Sequence, residues 1–269
     1  MSKLSLNKTN SIEVIIYDDS TSDEVQAVCQ RYQSIFPSFV YKRNIPALGA
    51  ASNWNALLDA ASGTYTLLLH HDEFMDGSDF VEKTIETFED HPEVDVIVAD
   101  SLIYEGDDVF RRKHLPKWVR KFIIAKMPTY FFRRNVIGPT SCLVVRSNLY
   151  PRFDDRLVWL IDVDAYFQLR NMTSRWLISD KLKIGSIFGR NNSITATIMT
   201  EISALQISEK KMLLAKYPAA HKWLSPSHKI LHFFEFFAWN TIRVIQFISN
   251  SIYLFPSGIR RAYDRVFQK

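Results

Sequence analysis

The stretch that most restricts what this chain can fold into runs from Asn44 to Glu73. It reads as a loop, a helix, a tight turn, a strand, and then a cluster of metal-capable side chains. Gly49, Asn53 and Asn55 open a helix whose apolar face is Trp54, Leu57, Leu58 and Ala61, at helical spacing. Gly63 is placed to end it, because helix C-termini favour a residue tolerant of positive φ. Thr64 to Leu69 is short and apolar, as suits a strand covered on both faces. That strand would carry His70, His71, Asp72 and Glu73 to its carboxyl end, where open α/β sheets bind their ligands.

The remainder alternates in the same way. Glu13 to Tyr17 is a β-rich run ending in Asp18-Asp19-Ser20. Thr21 and Glu24 have capping-box spacing, ahead of a helix expected to bury Val25, Val28, Tyr32 and Ile35. Strands follow at Phe39 to Lys42, Val94 to Ala99 and Cys142 to Arg146, with helices from about Asp79 to Glu89 and from near Asp162. Such alternation predicts an α/β domain with a mostly parallel sheet and right-handed crossovers. Between Glu105 and Arg134, basic residues (among them Arg111, Lys117, Lys121 and Arg133) interleave with Trp118, Phe122 and Tyr130. Two readings are open there: a solvated, partly helical excursion, or a basic and aromatic rim beside an anionic donor or a membrane.

Composition narrows the function classes. With 269 residues there is room for one large domain and a smaller appendage, set here at 1–199 and 200–269. Cys29 and Cys142 match no metal or redox spacing and are expected as reduced thiols. The N-terminus lacks the apolar core of a signal peptide. A net charge of +4 suits phosphate-bearing ligands or anionic lipid and is too small to argue for nucleic acid.

Five stretches, in order, resemble the inverting GT-A glycosyltransferases of family 2. Asp18-Asp19-Ser20-x-Ser22-Asp23 is similar to the family's nucleotide loop. Asn44, Gly49, Asn53 and Asn55 fall where the family has its Asn-rich segment, and His70-His71-Asp72 stands at its Asp-x-Asp position. Gly138-Pro139-Thr140-Ser141 resembles the acceptor-side turn, and Phe153-Asp154 with Asp162-x-Asp164 the segment holding the catalytic base. The resemblance implies a nucleotide-sugar donor, with Asp19 on the base and Asp18, Asn44, Gly49, Asn53, Asn55 and His70 lining the nucleotide-sugar site. It implies a glycan or lipid-linked acceptor near Thr140 and Ser141, and membership in surface polysaccharide synthesis.

Sugar transfer from a nucleoside diphosphate needs charge stabilisation on the leaving group, which a divalent cation (Mg²⁺ or Mn²⁺) supplies as a Lewis acid. Asp72 is the expected ligand, since hard cations prefer carboxylate oxygens. Inversion also needs a carboxylate that takes the acceptor's proton: Asp162, with Asp164 as second choice. His70 departs from the family's aspartate, and three roles are open to it: cation ligand, phosphate donor, or solvated strand-end residue. His71 is expected on the opposite face.

A second departure is larger. The family opens with a strand and helix before the double aspartate, which take about thirty residues. Here only a dozen residues precede Glu13. The start therefore lies upstream of Met1, or the chain is a shortened, non-catalytic binding or scaffolding relative. A sugar-phosphate nucleotidylyltransferase is the further rival, but it would need a Gly-rich basic loop that this sequence lacks. At the other end, a helix from Thr200 to Tyr217 is followed by an aromatic-rich one over about His228 to Leu254, with a narrow polar stripe through His232, Glu235, Arg243, Gln246 and Asn250. It is expected to pack on the domain or to lie amphipathically on a membrane, placing the protein peripherally at the cytoplasmic face.

Overall fold

A computed structural model of the chain describes residues 11–105, 108–111, 115–187 and 202–220. The expected helix over 228–254 lies outside the described residues, as does the basic run 112–114. The elements run β1 (Glu13–Asp18), α1 (Glu24–Tyr32), β2 (Ser38–Arg43), α2 (Ala50–Ala60), β3 (Tyr65–Leu67), β4 (Glu73–Met75), α3 (Phe80–Asp90), β5 (Val96–Glu105), β6 (Asp108–Arg111), α4 (Lys117–Lys126), β7 (Leu143–Arg146), α5 (Ile161–Met172), β8 (Trp176–Ile187) and α6 (Ile202–Lys216). This is the α/β class expected.

The strands form two sheets. β1 pairs in parallel with β2, Glu13 opposite Ser38 through Asp18 opposite Arg43. The larger sheet has the order β3-β7-β5-β8-β4, with β6 also on β5. Only the β5–β8 pairing in it is parallel; β3–β7, β5–β7, β4–β8 and β5–β6 are antiparallel. The expected mostly parallel sheet is thus corrected. Only β5 and β6 are joined by a short connection; the other antiparallel partners are remote in sequence, and long connections allow either strand direction, so strand-helix alternation does not fix it. β5 is the core of the domain: Val96, Ile97, Val98 and Ala99 are fully buried, as an apolar run covered on both faces should be.

The split falls between β1 and β3, each an edge strand among the described residues. β3 is consequently half-buried and Leu69 exposed, not the doubly covered strand expected. The same geometry explains α1. Val28 of α1 and Ile35 just past its end are exposed and Cys29 is the buried residue of α1, because a sheet of two strands, as counted among the described residues, offers little surface to cover. The capping box does not form either. Asp23 is the N-cap, and its carboxylate accepts from Arg43 Nη1 at 2.6 Å instead. The first compact unit extends to Ala220 and includes α6. Cys29 and Cys142 are both buried, and neither is in a disulfide.

Candidate functional site

Two hydrogen-bonded networks meet at the carboxyl ends of β1 and β3. The first is built on the double aspartate. Buried Asp18 accepts from Ser20 N at 2.8 Å and from Tyr41 Oη at 2.9 Å. Burial pushes its carboxyl up, but the Ser20 and Tyr41 hydrogen bonds and the Arg43 charge outweigh that, and the net shift is downward. Asp19 closes the following loop: Oδ1 accepts from Asn44 Nδ2 (2.8 Å) and Leu48 N (3.1 Å), and Oδ2 from Gly49 N (2.9 Å). Asn44 reaches on to Asn53 Oδ1 at 3.2 Å, and Asn53 Nδ2 donates to the Tyr17 carbonyl at 3.1 Å. Gly49, at φ +78°, caps α2 in a backbone region that side chains rarely enter. Asp18, Asp19, Asn44, Gly49 and Asn53 are therefore one construction. Asn55 is not part of it. Its amide pairs both ways with the Phe153 backbone, accepting from N at 2.9 Å and donating to O at 2.8 Å.

The second network begins at His70, just past β3. Its ring stacks on Trp54 of α2, with centroids 4.7 Å apart and planes at 13°. Nε2 is 2.8 Å from Thr140 Oγ1, and Nδ1 is 3.4 Å from Glu73 Oε2. His70 is thus a held, half-buried residue rather than a solvated strand end. His70, Asp72 and Glu73 each offer a ligand atom, all within 4.8 Å of one another. An imidazole with two carboxylates fits a divalent cation that accepts nitrogen and oxygen, which suits Mn²⁺ better than Mg²⁺. Glu73 lay in the expected cluster, but the spacing alone gave it no role. His71 is exposed.

From Thr140 the network passes through the preceding turn. Gly138, at φ +123°, is the turn glycine. Asn135 uses every hydrogen-bonding site of its amide there. Oδ1 accepts from Ile137 N and Gly138 N at 2.9 Å each, and Nδ2 donates to the Gly138 carbonyl and to Asp162 Oδ2 at 2.7 Å each. Asp162, half-buried in the first turn of α5, also accepts from Val163 N at 2.7 Å. The Gly138–Thr140 backbone thus links two sets of contacts, Thr140 to His70 of the metal-capable cluster and Gly138 through Asn135 to Asp162.

Two expected residues lie elsewhere. Asp164 is fully buried and accepts from Lys216 Nζ (2.9 Å), Tyr217 Oη (2.8 Å) and Gln168 Nε2 (2.8 Å). It is a structural anchor for the end of α6, which removes it as a second candidate base. Burial lowers the Lys216 pKa, but the Asp164 and Asp154 carboxylates outweigh this and raise it overall. Thr140 and Ser141 are both buried; Thr140 reaches the network through His70, whereas Ser141 Oγ has no hydrogen-bond partner among the described residues.

Sequence reasoning missed Asn135 and Glu209. Glu209 projects from α6, buried, and accepts from Val158 N (2.8 Å), Trp159 N (3.1 Å) and Leu160 N (2.7 Å). Those amides immediately precede α5, so the carboxylate fixes the turn that leads into the helix carrying Asp162. A lone glutamate among Ser208, Lys210 and Lys211 gives no such signal in the sequence.

The fold has solved counterparts. S. aureus TarS 1-349 in complex with UDP-GlcNAc is similar with a TM-score of 0.54 at 13% identity, over 72% of this chain and 56% of that one. S. aureus TarS is similar with a TM-score of 0.52 at 14% identity, over 83% and 41%. These likenesses show the GT-A fold, and this chain spans about half the length of those relatives or less. No curated protein matches the sequence. The model of "Glycosyl transferase family 2" matches residues 3–153, more than half of the chain. This chain therefore belongs to glycosyltransferase family 2.

Proposed function

We propose that the chain is a glycosyltransferase that moves a sugar, with inversion, from a nucleotide-sugar donor to a glycan or lipid-linked acceptor in surface polysaccharide synthesis. The observation that carries this reading is the hydrogen bond from Asn135 to Asp162 at 2.7 Å, which ties a half-buried carboxylate to the turn whose Thr140 touches His70. Asp162 takes the proton from the acceptor hydroxyl. Asn135 and the Val163 amide fix the direction of that carboxylate. The loop from Asn44 to Gly49, closed by Asp19, forms the wall on which the nucleotide rests. Asp72, Glu73 and His70 would hold a divalent cation, which neutralises the departing diphosphate when bound.

UDP-GlcNAc is the first donor to assay, because S. aureus TarS was solved with it. Release of nucleoside diphosphate from a panel of nucleotide sugars tests the reading. Turnover of at least one donor, lost in chelator and in Asp72→Ala, is expected. Turnover undiminished in chelator would remove the cation. Silence across the panel would favour the non-catalytic relative.

A further inference from the structure

α4 has two faces of opposite character. Arg120, Ile123 and Ile124 are buried, and Arg120 Nε donates to the Val136 carbonyl at 2.8 Å. Lys117, Trp118, Lys121, Phe122, Ala125 and Lys126 face outward. Trp118 is 75% exposed and Phe122, one turn on, 54% exposed. Folded proteins usually cover large aromatics, so two adjacent ones left in water mark a surface with a purpose. The helix, Lys-Trp-Val-Arg-Lys-Phe-Ile-Ile-Ala-Lys, carries no acidic residue. Lys117 meets Asp180, while Lys121 and Lys126 lie on the same outer face as the two rings.

Ammonium groups around paired aromatics are complementary to a bilayer's boundary layer. The rings suit the depth of the headgroup and upper acyl region, and the lysine stems lift their charges to the phosphates. Three lysines are too few to hold a nucleic acid against physiological salt. No helix among the described residues is long and apolar enough to cross a membrane, so any contact through α4 lies in the interface.

We propose that the outer face of α4 seats the protein on an anionic bilayer, with Trp118 and Phe122 entering the headgroup region and Lys121 and Lys126 meeting lipid phosphates. The inner face of the same helix holds the Val136 and Ile137 carbonyls, next to the Asn135 turn. Seating α4 therefore brings the membrane beside the segment that carries the catalytic network. The proposal stands on the surface of α4 alone and does not depend on the catalytic reading.

The test is co-sedimentation of the full chain with vesicles, without donor or acceptor. One set holds about 30% phosphatidylglycerol in phosphatidylcholine, enough to give a negative surface, and the other phosphatidylcholine alone. Wild type binds the anionic set. Trp118→Ser with Phe122→Ser lowers partitioning at least about tenfold, from the apolar surface no longer buried. Lys121→Gln with Lys126→Gln lowers it by about fivefold per lysine and removes the preference for phosphatidylglycerol. All four positions are exposed, and an unchanged melting curve confirms that each pair of changes leaves the fold intact. Three results overturn the proposal: no binding by wild type, wild-type binding by either double variant, or an equal preference for both vesicle sets. The second result would move the contact to another part of the chain, residues 221–269 included.

Discussion

Replacing Glu209 by Gln tests whether α6 fixes the start of α5. Val158, Trp159 and Leu160 direct their amides at one buried carboxylate, and hydrogen bonds to a charged acceptor are the strong kind. Gln keeps the shape but offers one carbonyl oxygen, and its amino group points hydrogens at hydrogens. Trp159 N reaches both oxygens, so one donor, Val158 N or Leu160 N, loses its acceptor, at about 1–3 kcal/mol. For a chain of this size, about 2 kcal/mol lowers Tm by about 4–8 °C. Urea denaturation gives the free energy, and hydrogen exchange at the three amides gives its location. A loss under ~1 kcal/mol, with protection of those amides unchanged, would refute the reasoning. It would mean that water replaces the carboxylate without cost.

Other consequences can be checked alongside. Asn135→Ala should lower kcat by about 10²-fold, the cost of a misaligned reacting group, with the donor KM within about twofold; a raised KM at constant kcat would place Asn135 in donor binding instead. Gly49→Ala should cost about 1–3 kcal/mol from its backbone conformation alone, because a Cβ there meets nothing within 4 Å. Asp154 is held well below the usual carboxylate range, chiefly by the Arg156 hydrogen bond, against burial and with help from Lys216. A depressed folded-state pKa stabilises above the unfolded value, near 3.9, and that stability is lost as pH falls through the folded value. Asp154→Asn should therefore flatten the fall in stability below about pH 4, measured by denaturation at stepped pH.

The sequence carried the elements well where one local pattern decided them. The apolar run at Val96–Ala99 became the buried core strand, and Gly49, Asn53 and the double aspartate formed one loop system. It misled where long-range pairing decided. Val28 and Ile35 have helical spacing, but spacing cannot reveal that the sheet beneath α1 has two strands among the described residues. Asp162 and Asp164 look equivalent in sequence, and only the arrival of Lys216 and Tyr217 from fifty residues away makes one of them an anchor. Asn135 and Glu209 act on backbone groups of segments remote from their own, and such contacts leave no periodic trace.

Asp162 is the proposed base, and the direct measurement compares Asp162→Asn with wild type in single-turnover transfer and in donor binding. Asn keeps the shape and accepts at Oδ1 but cannot take a proton. Transfer should fall by about 10²–10⁴-fold while donor affinity stays within about twofold. Equal transfer rates in the two proteins would contradict the account and move the base elsewhere.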